Sequence, residues 1–226
     1  MGTDIHLMVE VREHGGPWQA IEPPALWRKE RYEGDDPTQA FVWDFWRDYD
    51  SFAILGNVRN GYAFAGCDTG DGFVPLTDQR GLPDDASATA IEARENGDLG
   101  DHSFSHCTLA ELLAYPHWYV QTTKRGVVNA WHYANWRDRT RAPYHYSGGV
   151  AGRDIVHLTN EQMDEHIKAH PPERPKTDWA FGTHFTQVSW PESYRHAAQN
   201  LALLLADLVL LNRSPQDVRL VFGFDS

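Results

Sequence analysis

Residues 4–11 read "DIHLMVEV". Ile5, Leu7, Val9 and Val11 fall on one side of a period-two pattern, and Asp4, His6, Met8 and Glu10 on the other. Successive side chains of an extended chain point to opposite faces, so this alternation predicts a half-buried strand. The far end of the chain repeats it. In "VRLVFGFD", residues 218–225, Val218, Leu220, Phe222 and Phe224 make the apolar row, while Arg219, Val221, Gly223 and Asp225 make the other. Both strands carry an acid near one end, and we expect them to be neighbours in one sheet.

Working outward, "HGGP" turns the first strand and "WQAI" returns as its hairpin partner. Residues 22–47 give no firm element. "DYDSFAILGNVRNG" spaces Phe52, Leu55 and Val58 as a short helix does, with Gly61 as its stop. "SATAIEAREN" predicts a short exposed helix. Thr108 followed by Glu111 is an S/T-x-x-E capping box, so a helix begins at Leu109 and runs to about Tyr115. "HWYVQTT", "VVNAWHYANW", "DIVHL" and "WAFGTHFTQV" read as strands, with "KRG" turning the first into the second. Thr159 and Gln162 cap one further helix. Ser189 and Glu192 open another, which runs to Asn212 and is apolar nearly all round after Asn200. With no repeat, linker or strict βαβ alternation, the expectation is a single α+β domain over residues 1–226. Its sheet is largely antiparallel and packed on a long C-terminal helix.

The 226 residues are 41% hydrophobic, with 9 Trp, 9 Tyr and 10 Phe, which is not the composition of a disordered chain. A net charge of −12 opposes non-specific binding to a phosphate backbone. The two cysteines, Cys67 and Cys107, make neither a disulfide framework nor a zinc ribbon, and imply a reducing cytosol. The first residues show no basic region followed by an apolar run, so no signal peptide is expected. "LALLLADLVLL" is broken by Asp207 and falls short of the roughly 20 residues that a membrane span needs. A cytoplasmic protein without a membrane partner is expected.

The chemistry-bearing residues cluster in three places. Asp4 and His6 share one strand face, and Asp225 has the polar parity of the last strand. If the two strands pair, the three converge as a metal arm suited to zinc or manganese; the alternative is the solvated face of an antiparallel sheet. "DHSFSH", residues 101–106, precedes the capping box in what reads as a loop. There His102 is the candidate for proton transfer, because an imidazole titrates near neutrality. Ser103 and Ser105, beside a helix N-terminus, would help hold an anion. Arg80, on the Pro-stiffened "RGLP" loop, would clamp the same anion or, alternatively, make a structural salt bridge. His166 and His170 have i, i+4 spacing on a helix but no third ligand, and read as surface. Trp131 and Trp136 are candidates to line a pocket and stack on a flat ligand.

Five stretches, "DIHLMVEV", "RDYDSFAILGNVRNG", "RGLPDD", "DHSFSHCTLAEL" and "VRLVFGFD", together resemble a family of proteins found in tailed phages and some bacteria. They occur in order over most of the chain, with a weaker match from about residue 113 to 215. Family members usually carry Arg-Asn-Tyr where this chain has Arg47-Asp48-Tyr49. The resemblance implies a phage- or prophage-borne protein in a bacterial cytoplasm and brings no activity with it. Two functions are therefore expected from the residues. One is a hydrolase of a nucleotide or another small phosphate compound, with a His/Asp-centred site that works with or without a divalent metal. The other is a non-catalytic binder that sequesters a small nucleotide or blocks a host protein.

Overall fold

The computed structural model describes residues 2–30, 34–174 and 182–226. In chain order its elements are β1 (Asp4–Val11), β2 (Gln19–Ile21), β3 (Val42–Trp43), α1 (Tyr49–Gly56), α2 (Ala88–Glu95), β4 (His102–Thr108), α3 (Leu109–Ala114), β5 (Gln121–Asn129), α4 (Ala130–Asn135), β6 (Val156–Leu158), α5 (Asn160–Ala169), β7 (His184–Ser193), α6 (Tyr194–Ala197), α7 (Gln199–Leu210) and β8 (Val218–Asp225). The class is α+β, as the sequence predicts. The elements gather into two compact units. The first holds Met1–Asn60, Phe73–Tyr119 and Arg195–Ser226; the second holds Gly61–Gly72 and Val120–Tyr194.

The first unit is built on the two end strands. β1 and β8 pair antiparallel over their full length, from Asp4 opposite Asp225 to Val11 opposite Val218. The sheet order is β2-β1-β8-β4, with β3 also on β1, and every pairing is antiparallel. Beyond one face lies α1, whose Phe52 meets Phe224 edge-on at 5.5 Å. Gly56 leaves room there: a Cβ would stand 2.9 Å from the Phe224 ring. α7 joins α1, with the Leu201 N–H donating to Ser51 Oγ. The Asp207 that interrupts the apolar run accepts the Trp27 indole N–H at 2.6 Å.

The second face is the first departure from expectation. The alternation predicts a solvated row, yet Met8, Glu10, Arg219 and Val221 are all buried. The cause is α2, whose Ala90 and Ala93 pack with Leu99, Val42, Met8 and Val221. A helix with small residues on one side closes on the sheet, so both faces are covered. The charge this buries is neutralised in place. Arg219 Nε donates to Glu10 Oε2 at 2.6 Å, and Glu10 Oε1 accepts the backbone N–H of Ser87, the N-cap of α2, at 2.7 Å. Arg219 Nη1 reaches Asp85 at 2.6 Å, and the guanidinium lies 4.1 Å from the Trp18 ring.

The second unit is a three-stranded sheet, β5-β7-β6, antiparallel between β5 and β7 and parallel between β6 and β7. α4 and α5 cover it through Tyr133, Trp136 and Met163, packed on Val128, Val188 and Trp190. Several sequence expectations fail here. "KRG" is not a turn: β5 runs straight through Lys124, Arg125 and Gly126, and the glycine admits Tyr146 and Trp190 at close range. "AWHYAN" is helix α4, because the Asn129 side chain caps it by accepting the His132 N–H at 2.9 Å. Ser189 and Glu192 lie on β7 opposite Arg125 and Thr122, so they cap nothing. The long C-terminal helix is accordingly 12 residues, Gln199–Leu210. The predicted strand from Trp179 begins at His184; Trp179, Ala180 and Phe181 lie outside the described residues.

Candidate functional site

The convergence of Asp4, His6 and Asp225 is realised, but not as a metal arm. His6 stands opposite Gly223, one pleat from Asp225, and its Nε2 lies 3.0 Å from Asp225 Oδ2. Asp225 Oδ1 accepts the Asp4 backbone N–H at 3.1 Å. The Asp4 carboxylate turns away to Arg47, which donates from Nε at 2.8 Å and from Nη2 at 2.5 Å. This bidentate pair holds the Asp4 carboxyl below its ordinary range. A ligand trio would need all three carboxylate and imidazole groups aimed at one point, and the Arg47 fork removes one of them. Among the described residues no group of three or more His, Cys, Asp or Glu is arranged to hold a metal. Asp4, His6 and Asp225 therefore do not form the three-ligand arm expected of them. What remains is a His–Asp dyad at the sheet end, with His6 22% and Asp225 47% exposed. Arg47 is close enough to feel the charge of both Asp4 and Asp225.

His102 does not share this site. It pairs with Phe224, which pairs with Ile5, so it lies on the opposite face of the sheet from His6 and Asp225. There its ring stacks on Phe224 at 6.2 Å. Both ring nitrogens are within 2.9 Å of hydroxyls, Nδ1 of Ser103 and Nε2 of Ser226. "DHSFSH" is therefore not an approach loop: residues from His102 on form β4, the strand bordering β8. A bulge between His102 and Ser105 resets its register, and Ser103 sits there at φ 52°. The capping box that follows is as expected, with Thr108 and Glu111 bonded to each other's backbone N–H.

The anion clamp is not assembled either. Ser105 is fully buried; its hydroxyl accepts the Arg80 N–H at 3.2 Å and donates to Asp78 O at 3.3 Å. It fixes the "RGLP" loop to β4. The Arg80 guanidinium donates to Glu111 at 2.7 Å, the structural salt bridge that was the alternative reading. Sequence reasoning missed the Glu10–Arg219 network, although both residues lie on the polar rows of their strands.

In the second unit a cleft of about 230 Å³ is lined in part by Trp131, His166, Glu173 and His184. Trp131 thus lines a pocket as expected, whereas Trp136 is buried in the core. The His166–His170 pair, read as surface without a third partner, has His184 stacked on it, with ring centroids 4.1 Å apart. That contact joins α5 to β7 and is invisible to helical spacing. No described helix is long and apolar enough to cross a membrane. Compared with known proteins, the chain matches no family model, no curated protein and no solved structure.

Proposed function

We propose that the chain is a hydrolase of a small phosphate compound, a nucleotide being the type, with His6 as general base. The observation that carries this is the 3.0 Å contact between His6 Nε2 and Asp225 in a position that solvent reaches. With the Nε2–H donated to Asp225, the lone pair is on Nδ1, which has no hydrogen-bond partner among the described residues. A water there would give its proton to Nδ1 as its oxygen attacks, and Asp225 would hold the resulting imidazolium. Arg47, half exposed beside the dyad, keeps Nη1 outside its fork to Asp4, and that N–H group is the one a phosphate would meet. A cytoplasmic place of action accords with two free cysteines.

The test is turnover of a panel of nucleotides and phosphate esters by the wild-type chain and by His6→Gln, Asp225→Asn and His102→Ala. Loss of a general base removes about 10²–10⁴ in rate. His6→Gln should show that loss with the fold intact, Asp225→Asn should approach it, and His102→Ala on the opposite face should turn over normally. If no panel member is hydrolysed, or His6→Gln is as active as wild type, the dyad is not catalytic. A nucleotide retained unchanged, or a host protein captured without turnover, then favours the non-catalytic binder.

A further inference from the structure

The cleft of the second unit plays no part in the acid–base chemistry of His6. Four stretches build it: Asn129–Trp131 at the start of α4, His166 on α5, Glu173 after that helix, and Thr183–His184 at the start of β7. Its described lining contains no lysine or arginine, and its formal charge is the Glu173 carboxylate. The imidazoles present unused acceptors. With His184 Nδ1–H donated to the Thr183 hydroxyl at 2.9 Å, Nε2 is left as the acceptor. The His166 imidazole makes no hydrogen bond to any described residue, although its ring is stacked between His184 at 4.1 Å and His170 at 5.1 Å. Trp131 adds an indole to the wall. At about 230 Å³ the space is below the roughly 300–1,000 Å³ of pockets for drug-sized ligands, so it suits a group of few heavy atoms.

We propose that this cleft binds a small organic cation, a primary ammonium or a guanidinium. Glu173 supplies the counter-charge, the Trp131 indole a cation–π wall, and the imidazole nitrogens of His166 and His184 the hydrogen-bond acceptors. Among the described lining residues an anion meets no positive charge while the imidazoles are neutral. Burial first, then the neighbouring His184 and His170, hold the His166 imidazole below its ordinary range, so it stays an acceptor at neutral pH. The groups facing His166 are His184 from β7 and His170 from its own helix; Glu173 shares the cleft lining, and Trp131 brings no charge. Protonating any of these imidazoles puts a positive charge beside the ligand, so affinity must fall as the solution is acidified.

The experiment titrates the full chain with methylguanidinium, with propylammonium, with neutral methylurea and with inorganic phosphate. Binding is read by calorimetry and by the ring-proton NMR signals of the histidines. Saturable binding of at least one cation, and of neither methylurea nor phosphate, is expected. Glu173→Gln, at an exposed position, should weaken it about tenfold or more, as loss of a charge-assisted hydrogen bond does. Trp131→Leu should weaken it about twofold to tenfold. Wild-type affinity should hold through neutral pH and drop on acidification below about pH 6.5, because the His166 imidazole is held below its ordinary value. Equal binding of methylurea, binding of phosphate instead, unchanged affinity in folded Glu173→Gln, or no saturable binding of either cation each overturns the proposal.

Discussion

Arg219→Met is the most informative single perturbation of the fold. Arg219 is 4% exposed and Glu10 is fully buried. Removing the guanidinium leaves the Glu10 carboxylate inside the sheet–α2 layer with the Ser87 N–H, at 2.7 Å, as its remaining hydrogen-bond partner among the described residues. Breaking a buried ion pair from one side costs about 3–5 kcal/mol, because the surviving charge stays desolvated. Against a total stability of about 5–15 kcal/mol, that is about a fifth or more of what holds a domain together. With a urea slope of about 2 kcal/mol per molar, the unfolding midpoint should fall by roughly 1.5–2.5 M. Glu10→Gln added to Arg219→Met should recover much of the loss, since the amide oxygen still accepts from Ser87 and no net charge is buried. The reasoning has an acid limb as well. The Arg219 hydrogen bond is the main cause that holds the Asp85 carboxyl below its ordinary range. A carboxyl with a lowered folded pKa stabilises above its unfolded value, about 3.9, and loses that contribution as pH falls through the folded one. Arg219→Met should therefore flatten stability against pH below about pH 4. A loss under about 1 kcal/mol in the single variant, or no rescue in the double, would refute the assignment of this pair as a buried and mutually neutralised charge.

Thr108→Ala removes a capping box whose two reciprocal bonds are present, and should cost about 0.5–2 kcal/mol in a denaturant melt. Ser105→Ala removes the hydroxyl acceptor of the part-buried Arg80 N–H, and should cost about 0.5–1.5 kcal/mol while the α3 cap survives. Burial pushes the Cys107 thiol up, whereas Cys67 is partly exposed. A thiol-reactive disulfide should therefore label Cys67 alone in the native chain and both cysteines in denaturant.

The parts of the fold that sequence revealed are those fixed by neighbours in the chain. Period-two rows mark β1 and β8, and the caps at Thr108 and Thr159 sit where the spacing puts them. The second unit was misread because its deciding contacts are distant. Gly126 resembles a turn until Tyr146 and Trp190 are known to press on it, and Ser189–Glu192 matches a cap until β5 claims the segment as a strand. The site divides in the same way. Strand parity brings Asp4, His6 and Asp225 together, but the competing partners Arg47 and Glu111, and the bulge that sets His102 on the other face, are tertiary facts.

One long-range fact was nevertheless within reach. Asp4 opposite Asp225 forces Glu10 opposite Arg219, because an antiparallel pair has a single register along its length. Slipping β8 by one residue would turn its apolar row of Leu220, Phe222 and Phe224 to the wrong face. Slipping it by two keeps the faces but sets Glu10 against Val221 in one direction and against Asp217 in the other, leaving a buried carboxylate unpaired or facing a second acid. Such a placement costs several kcal/mol more than the observed one. The hydrophobic pattern thus selects the faces, and the Glu10–Arg219 pair selects among the even registers. That same choice sets Asp225 one pleat from His6, so the buried ion pair at one end of the strands positions the dyad at the other.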